Sequence, residues 1–307
     1  MPDKHSLLSA AWVKEQARAA GFDLCGIAEA RRLADYEFPL QRWLALGFQA
    51  NMHYMQQHVE KRMDPTVLME GAKTVICVAR GYNPEHLLDS TPRIARYAYG
   101  EDYHDNIKRD LHKLRELLGV EGKVCVDTVP IGEKHWATAA GLGWIGRHTL
   151  LVTEQWGSWV NLGELIIREE CDHYDNPVSS ACMECNQCVQ ACPNGALHSE
   201  TVTDDNGQRY EVPLLDAARC TAYQTIENKS DTLPEGLKTA GYAFGCDLCQ
   251  MACPYNAHAA TRPIDRERLA ALEKLAGAEE MQFKETTRNS AMARIKYQQW
   301  KRNLRSQ

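Results

Sequence analysis

Two closely spaced cysteine runs constrain this chain more than any other feature of its sequence. Residues 182–193 read CMECNQCVQACP, and residues 246–254 read CDLCQMACP. The first run has the spacing Cys-x₂-Cys-x₂-Cys-x₃-Cys-Pro, with which bacterial ferredoxins hold [4Fe–4S] clusters. In two-cluster proteins the fourth cysteine of such a run serves the other cluster. The sequence therefore predicts two [4Fe–4S] clusters and the transfer of single electrons.

The two runs complete each other's ligand sets. The first cluster takes three cysteines of the first run and the cysteine before Pro254 in the second run. The second cluster is then one ligand short, because Ala243 stands where a full run would have cysteine. Cys220, between the runs, is the obvious replacement. The predicted sets are Cys182, Cys185, Cys188 and Cys253 for the first cluster, and Cys192, Cys220, Cys246 and Cys249 for the second.

Zinc and disulfides are weaker interpretations of these cysteines. Paired Cys-x₂-Cys units also build tetrahedral zinc sites, but zinc requires neither the triple Cys-x₂ spacing nor the x₃-Cys-Pro step. Disulfides belong to oxidising compartments, and these thiols are clustered as ligands are. Outside the runs, Cys77 and Cys125 lie in apolar stretches and are predicted to be small buried hydrophobes.

Length and composition indicate a globular protein of about two domains. The chain has 307 residues, of which 44% are hydrophobic and 25% charged. No apolar run approaches the ~20 residues of a membrane span. The N-terminus, MPDKHSLLSA, lacks the basic and then apolar layout of a signal peptide. We therefore expect a cytoplasmic monomer that makes no membrane contact.

Helical and strand patterns alternate along the first part of the chain. Residues 105–118 predict an amphipathic helix, while 73–79, 123–126 and 159–167 are typical of buried strands. This alternation predicts an α/β or α+β domain. The predicted division is 1–170 for that domain, 171–260 for the cluster-binding part and 261–307 for a helical, basic C-terminal tail packed on the core.

The tail carries a strong positive charge. From Lys284 to Gln307 there are seven Lys or Arg residues and one acid, a charge of +6 in a chain of net charge −6. Tyr297 lies among them, and a basic segment with aromatics suits a phosphate backbone and an unstacked base. The alternative, compatible with the first, is an amphipathic helix whose apolar side docks on the core through Met292, Ile295, Trp300 and Leu304.

Three stretches of the first domain offer candidate functional groups. The sequence GLGWIG at 141–146 matches a dinucleotide fingerprint but follows a helix-like stretch, so close backbone packing is the better interpretation. RYAYGEDYH at 96–104 suits a planar cofactor or base. Asp127 ends a strand; it is either a turn residue or an acid that donates a proton if burial raises its pKa. Glu133 and Lys134 follow closely and could orient it.

Together these stretches resemble the epoxyqueuosine reductase family, and the likeness covers almost the whole chain. The matching stretches are RYAYGEDYH, VDTVPIGEK, AGLGWIGRHTLLV, CMECNQCVQACP, RCTAYQTIEN and GCDLCQMACPYN. The resemblance implies a nitroreductase-like, cobalamin-binding sheet domain followed by a ferredoxin-like domain with two [4Fe–4S] clusters. It implies an oxidoreductase that reduces epoxyqueuosine to queuosine at the wobble position of tRNA. We also expect an external electron donor of the flavodoxin or ferredoxin type.

The resemblance assigns roles to residues of these stretches. Asp127 matches the family's proposed proton donor near the cobalt, and the eight cysteines match the ligands in the sets given above. The cobalamin motif Asp-x-His-x-x-Gly is absent, because Ile107 stands at its glycine position. Cobalamin would then bind without a histidine on cobalt. The cobalamin contacts that the resemblance suggests are Arg62, Tyr97, His104, Lys134 and Thr225.

The sequence leaves alternatives for how tRNA is held and for the function itself. Many family members continue into a helical-repeat domain that helps to hold tRNA, whereas this sequence ends at Gln307. We therefore expect the core and the basic tail to hold tRNA. Two other functions are alternatives: a cobalamin-dependent reductive dehalogenase, which the basic tail disfavours, and a non-catalytic electron-transfer adaptor, which predicts no cobalt.

Overall fold

The computed structural model describes residues 7–88, 91–203 and 209–306. Residues 1–6 and Gln307 lie outside these ranges. The first six residues belong to the N-terminal stretch from which no signal peptide was predicted. None of the described helices is long and apolar enough to cross a membrane. The strands are Leu24–Glu29 (β1), Thr74–Gly81 (β2), Arg93–Ile94 (β3), Gly122–Cys125 (β4), Trp144–Ile145 (β5), Leu151–Val152 (β6), Val160–Ile167 (β7), Leu197–Thr203 (β8), Arg209–Leu215 (β9) and Tyr242–Phe244 (β10). The helices are Ala10–Ala20 (α1), Ala34–Ala45 (α2), Val59–Met63 (α3), Pro65–Leu68 (α4), Tyr103–Leu118 (α5), Glu133–Ala139 (α6), Gln187–Ala191 (α7), Thr221–Ile226 (α8), Leu248–Met251 (α9), Pro254–Ala257 (α10), Arg266–Glu273 (α11), Glu280–Thr287 (α12) and Tyr297–Arg305 (α13).

The centre of the first half of the chain is a four-stranded sheet in the order β1-β2-β7-β4. Strands β2 and β7 pair over eight residues, from Thr74 opposite Ile167 to Gly81 opposite Val160. Because both faces are covered, these strands read in the sequence as largely apolar runs, as predicted. Every pairing in the sheet is antiparallel, so the domain is the α+β form of the predicted class.

Helices cover both faces of this sheet. Helices α1 and α5 lie on one face, where Leu111 of α5 packs with Leu165 of β7. Helix α6 lies on the other face, where Trp136 packs with Cys77 of β2 and Cys125 of β4. The prediction that these two cysteines are small buried hydrophobes is confirmed, since neither is exposed.

Helix α5, predicted from its periodicity, begins and ends with standard caps. The Asp102 carboxylate accepts a hydrogen bond from the His104 N–H at 3.0 Å, which satisfies one of the unpaired amides of the first turn. Gly119 ends the helix in the left-handed conformation. The N-terminal cap also fixes where His104 lies relative to the end of the sheet.

Helix α6 approaches the sheet closely because β1 lacks a side chain at the contact. A Cβ built on Gly26 would lie 2.0 Å from the Ala140 carbonyl oxygen at the end of α6. Helix α6 carries Glu133 and Lys134, so this contact sets the depth at which both side chains lie.

The GLGWIG stretch is a packing feature. A strand, β5, lies within it where a dinucleotide fingerprint would open a helix. A Cβ on Gly143 would lie 2.0 Å from the Val152 carbonyl oxygen of β6. The interpretation of these glycines as close packing is therefore confirmed.

The structure contains a β-hairpin between the two cysteine runs that was not predicted from the sequence. Strands β8 and β9 pair from Leu197 opposite Leu215 to Thr203 opposite Arg209. Arg42 of α2 donates two hydrogen bonds, of 2.7 and 2.8 Å, to the carboxylate of Glu200 and holds the hairpin to α2. The sequence signal that could have predicted it is the dipeptide Asn-Gly at 206–207, typical of tight hairpin turns.

The C-terminal segment packs into the protein through one apolar cluster. The cluster joins Ile94 of β3, Phe244 of β10 and Trp300 of α13, and β3 and β10 pair in parallel. Its members include Met292 and Ile295, and the docking interpretation of the tail is confirmed. The cluster draws on all three predicted segments. The boundaries at 170 and 260 that we propose therefore divide the chain by role, while packing runs across them.

Gly26→Ala is expected to destabilise the protein by about 1–3 kcal/mol, because the added methyl group meets a backbone atom that cannot move aside. Chemical denaturation measures the change. Gly100→Ala is the matched control, because a Cβ there has no neighbour within 4 Å, and its effect should stay within about 0.5 kcal/mol. Equal stabilities for the two variants would contradict the close packing of α6.

Candidate active site

Asp127 lies just past the end of β4, where the chain turns away from the sheet. Its φ of +45° is in the left-handed region that residues other than glycine rarely adopt. The Asp127 N–H donates a hydrogen bond to Glu133 Oε1 at 2.6 Å. The carboxylate lies 3.1 Å from His104 Nε2 and 3.6 Å from the guanidinium of Arg294. Groups from α5, α6 and the C-terminal segment therefore hold Asp127 in position.

His104 stands between two carboxylates. Its Nδ1 lies 2.6 Å from Asp102 Oδ1, a hydrogen bond, and its Nε2 lies at ion-pair distance from Asp127 without the alignment of a hydrogen bond. The ring of Tyr103 stacks on the imidazole with the ring centroids 4.0 Å apart. Burial lowers the pKa of His104, but the Asp127 and Asp102 carboxylates outweigh burial and raise it. The imidazolium form is therefore favoured.

The charge state of Asp127 differs from the expectation drawn from the sequence. A proton-donating Asp127 required burial to raise its pKa. In the structure, the contact with His104 lowers the pKa of Asp127 and Arg294 lowers it further, against the opposing effect of burial. The condition for direct proton donation, a pKa raised by burial, is therefore not met, because two cations lie beside the carboxyl group. Asp127 is a carboxylate in this arrangement.

Glu133 is the acid of this site whose pKa is raised. Burial and the nearby Asp127 carboxylate raise the pKa of Glu133 to about 7, although the hydrogen bond from the Asp127 N–H opposes them. Its side chain keeps partial exposure despite its depth. Glu133 therefore changes its charge near neutral pH, as a group that takes up and releases protons must.

A second buried acid, Glu164, was not singled out in the sequence. It lies on β7 between Cys77 and Cys125 of the neighbouring strands and has 0% exposure. Neither carboxyl oxygen has a hydrogen-bond partner among the described residues. Burial raises the pKa of Glu164 well above its ordinary value, and Glu133 raises it further, so Glu164 is neutral. One charged residue within an apolar strand was the signal that could have marked it.

Two of the expected cofactor contacts lie beside these acids. The Lys134 ammonium donates a hydrogen bond to the Thr149 carbonyl at 2.5 Å, and burial lowers the pKa of this lysine. The ring of Tyr97 packs edge-on against Tyr103, with centroids 6.1 Å apart. Both therefore lie near His104 and Glu133, where a ligand next to Asp127 would meet them.

Arg62 and Thr225 differ in how they could meet a ligand. Arg62 donates to the Tyr54 carbonyl at 3.3 Å, while its buried Nε has no partner within the described ranges. Thr225 is fully buried in α8, where its hydroxyl donates to the Thr221 carbonyl and accepts from the Gly245 N–H. The Thr225 hydroxyl thus supports the backbone next to Cys246, and a contact of this residue with cobalamin stays a prediction.

The cysteines of the two runs lie in two groups. Burial raises the pKa of Cys188, and the nearby thiols of Cys253, Cys182 and Cys185 raise it further. Burial likewise raises the pKa of Cys246, with further contributions from Cys220 and Cys192. Among the described residues, no three His, Cys, Asp or Glu side chains form a group that could hold a single metal ion. The first group is Cys182, Cys185, Cys188 and Cys253, and the second is Cys192, Cys220, Cys246 and Cys249.

The second cysteine group adjoins the acids through Tyr97. Gly245, next to Cys246, has a φ of +68°, and a Cβ there would lie 2.5 Å from Ala95 Cβ and 3.6 Å from the Tyr97 ring. Since Tyr97 contacts Tyr103 beside His104, a short row of residues joins this group to the Asp127 site.

Two cations of the basic tail contact acceptor groups of the protein itself. The Arg302 side chain is buried, and that of Arg294 approaches Asp127 and Glu227. The expectation that the tail's charge faces a nucleic acid therefore needs correction at these two positions. The carbonyls to which Arg302 donates are those of Gln224, Asn228 and Ser230.

Comparison with known proteins decides the family. Residues 62–128 match the model described as Epoxyqueuosine reductase QueG, DUF1730, and residues 181–256 match a 4Fe-4S double cluster binding domain. An epoxyqueuosine reductase of Cyclobacterium marinum is 39% identical, over 98% of this chain and 96% of its own length. This chain belongs to the epoxyqueuosine reductase family. A reductase of Cellulophaga algicola is 36% identical over 98% and 97% of the two chains.

Solved epoxyqueuosine reductases share the fold. One, with an epoxyqueuosine-modified tRNA-Tyr stem loop, matches with a TM-score of 0.79 at 26% identity, over 96% of this chain and 79% of that one. The Bacillus subtilis reductase, solved with a catalytic aspartate loop swung out of the active site, matches with a TM-score of 0.79 at 25% identity and the same coverage. The match to the 4Fe-4S double cluster binding domain spans both cysteine groups, so this chain contains an iron–sulfur domain.

Glu133→Gln is expected to stabilise the protein at pH 8 and to change its stability little at pH 4. The pKa of Glu133 is about 7 in the folded state, above the ordinary 4.5, so stability present at low pH is lost as the pH rises through this range. The amide keeps the acceptor for the Asp127 N–H and removes a cost of about 1–3 kcal/mol. Denaturation at both pH values measures the difference. A gain that does not depend on pH would contradict the raised pKa.

Proposed function

We propose that this protein reduces epoxyqueuosine to queuosine at the wobble position of tRNA. The observation that carries the proposal is its near-full-length similarity to epoxyqueuosine reductases, with a double-cluster domain next to the Asp127 site. Removal of the epoxide oxygen as water leaves a carbon–carbon double bond and consumes two electrons and two protons. The clusters and the acids described above are suited to supply these.

Cobalamin is the proposed group at which the electrons reach the substrate. Arg62 Nε, a buried donor without a partner in the described part of the chain, and the deep Lys134 ammonium fit the amide side chains of a corrin, which accept hydrogen bonds. Tyr97 adds an aromatic surface between them and the second cysteine group. His104 is held by two carboxylates and so is not proposed as a cobalt ligand. Bound cobalamin supplies low-valent cobalt, a strong nucleophile and reductant.

Asp127 is proposed to pass a proton to the leaving oxygen. Its proposed proton source is the His104 imidazolium, whose Nε2 lies 3.1 Å from the Asp127 carboxylate. The ring must turn to align its N–H with the carboxylate before the proton passes to Asp127 and on to the substrate. Glu133, whose pKa is about 7, is the proposed second source, because its carboxyl oxygen lies 2.6 Å from the Asp127 backbone nitrogen. The expected role of Asp127 as donor is thus kept, with His104 holding the proton.

The partners follow from this reaction. An external donor of the flavodoxin or ferredoxin type is proposed to reduce the clusters one electron at a time. The core surface and the cations Lys301 and Arg305 of α13 are proposed to hold the tRNA phosphates. Because tRNA is the substrate, a cytoplasmic location is proposed, and we propose a monomer as the working form.

Asp127→Asn is expected to retain iron and bound cobalamin and to lower turnover about 100-fold or more, because the amide cannot pass a proton. The assay is conversion of an epoxyqueuosine-containing stem loop. Asp105→Asn is the matched control, since Asp105 is an exposed acid one residue after His104 and should keep normal turnover. Full activity of the Asp127 variant would remove this residue from the mechanism.

Protein purified without air is expected to contain about eight iron atoms and to bind about one cobalamin per chain, as two four-iron clusters and one corrin require. Metal analysis and the absorption spectrum measure both. The same preparation should convert the stem loop and leave halophenols unchanged. Dehalogenation without stem-loop conversion would favour the dehalogenase alternative, and a failure to take up cobalamin would favour the electron-transfer adaptor.

A further inference from the structure

The C-terminal segment contacts both ends of the charged row at the active site. At one end, the Asp102 N–H donates a hydrogen bond to the Asn289 carbonyl at 2.9 Å. At the other end, Arg294 reaches the Asp127 carboxylate, and His104 lies between the two acids. A stretch of six residues therefore braces the whole row.

Arg294 is set in place by the packing of the turn that carries it. It ends a short 3₁₀ turn, Ala291–Arg294, whose start is capped by the Ser290 hydroxyl. Met292 in this turn is completely buried in the apolar cluster. The side chain of Arg294 thus leaves a fixed backbone and points toward Asp127.

The guanidinium of Arg294 bridges two carboxylates. One terminal nitrogen lies 3.6 Å from Asp127 Oδ2, and the other lies 2.9 Å from Glu227 Oε1. Glu227 follows α8, the helix that begins directly after Cys220. Arg294 therefore links the turn of Asp127 to the element that leads out of the second cysteine group.

The conformation of Asp127 explains why such a link is needed. A non-glycine residue at a φ of +45° does not hold that conformation by itself, so its contacts must maintain it. Glu133 holds the backbone, and His104 and Arg294 both approach the same carboxylate oxygen, Asp127 Oδ2. A planar guanidinium can bridge two acids, which a single ammonium cannot do in the same way.

We propose that Arg294 is a positioning residue that keeps Asp127 at the substrate, and that this tail arginine does not serve as a contact to the tRNA backbone. The proposal rests on the proposed function for its kinetic consequences. The rival role is plausible on charge alone, because 42% of the side chain is exposed. The two roles differ in the kinetic constant that they affect.

Arg294→Gln tests the proposal in the metal- and cobalamin-loaded enzyme with the epoxyqueuosine-containing stem loop as substrate. A displaced Asp127 should lower kcat about 10- to 100-fold, with KM and stem-loop affinity within about twofold of the wild type. Arg294→Lys should give an intermediate kcat, and it provides the same comparison if the Gln variant does not fold. A raised KM with normal kcat would overturn the proposal.

Arg288→Gln is the matched control from the same segment. Arg288 is exposed and makes no ion pair within the described residues, so its removal deletes the same charge without touching Asp127. Its kcat is expected within about twofold of the wild type. An equal fall in kcat for both variants would show a general effect of tail charge and would overturn the assignment to Arg294.

A second measurement does not depend on turnover. The free energies of unfolding of Arg294→Gln, Asp127→Asn and the double variant form a cycle that reports the coupling of the two side chains. A coupling free energy clearly different from zero supports the contact between Arg294 and Asp127. Strictly additive changes in the free energy of unfolding would overturn the proposal. Failure of the wild type to convert the stem loop would overturn the proposed function, while this cycle would still decide whether Arg294 holds Asp127.

Discussion

The balance of charge around Asp127 is the interaction on which the active site depends. Asp102 and Asp127 face the imidazole of His104 from opposite sides, and Arg294 completes the row. The two cations keep Asp127 ionised, and the two carboxylates keep His104 protonated. Each group thus depends on its neighbour for its charge, and removal of one changes the protonation of the next.

Two further acids, Glu133 and Glu164, show how the surroundings of a carboxyl group set its charge. Glu133 touches the Asp127 backbone and has a pKa of about 7, while Glu164 lies deeper and is neutral. The pKa is therefore lowered at Asp127, which lies beside two cations, raised to about 7 at Glu133, and raised well above its ordinary value at the completely buried Glu164. Burial without a partner favours the neutral form, and an adjacent cation favours the charged form.

The sequence predicted those features that depend on local patterns. Cysteine spacing predicted the double-cluster domain that the family model matches, and periodicity predicted helix α5 and the central strands. The ligand sets within that domain remain predictions. The lowered pKa of Asp127 and its contact with Arg294 were not predicted from the sequence, for one physical reason. Both depend on side chains separated from Asp127 by many residues, and no local pattern shows which of them will meet.

The buried arginine of α13 has a practical consequence for work on this protein. Arg302 binds three carbonyls at the end of the helix that follows Cys220, and its neighbour Asn303 binds the Thr225 and Ala243 carbonyls. The last described helix is thus an internal support of the redox region. Trimming the chain for crystallisation, or attaching a rigid fusion partner directly to α13, would disturb the iron-binding loops, and an inactive product would say nothing about the chemistry of the intact enzyme.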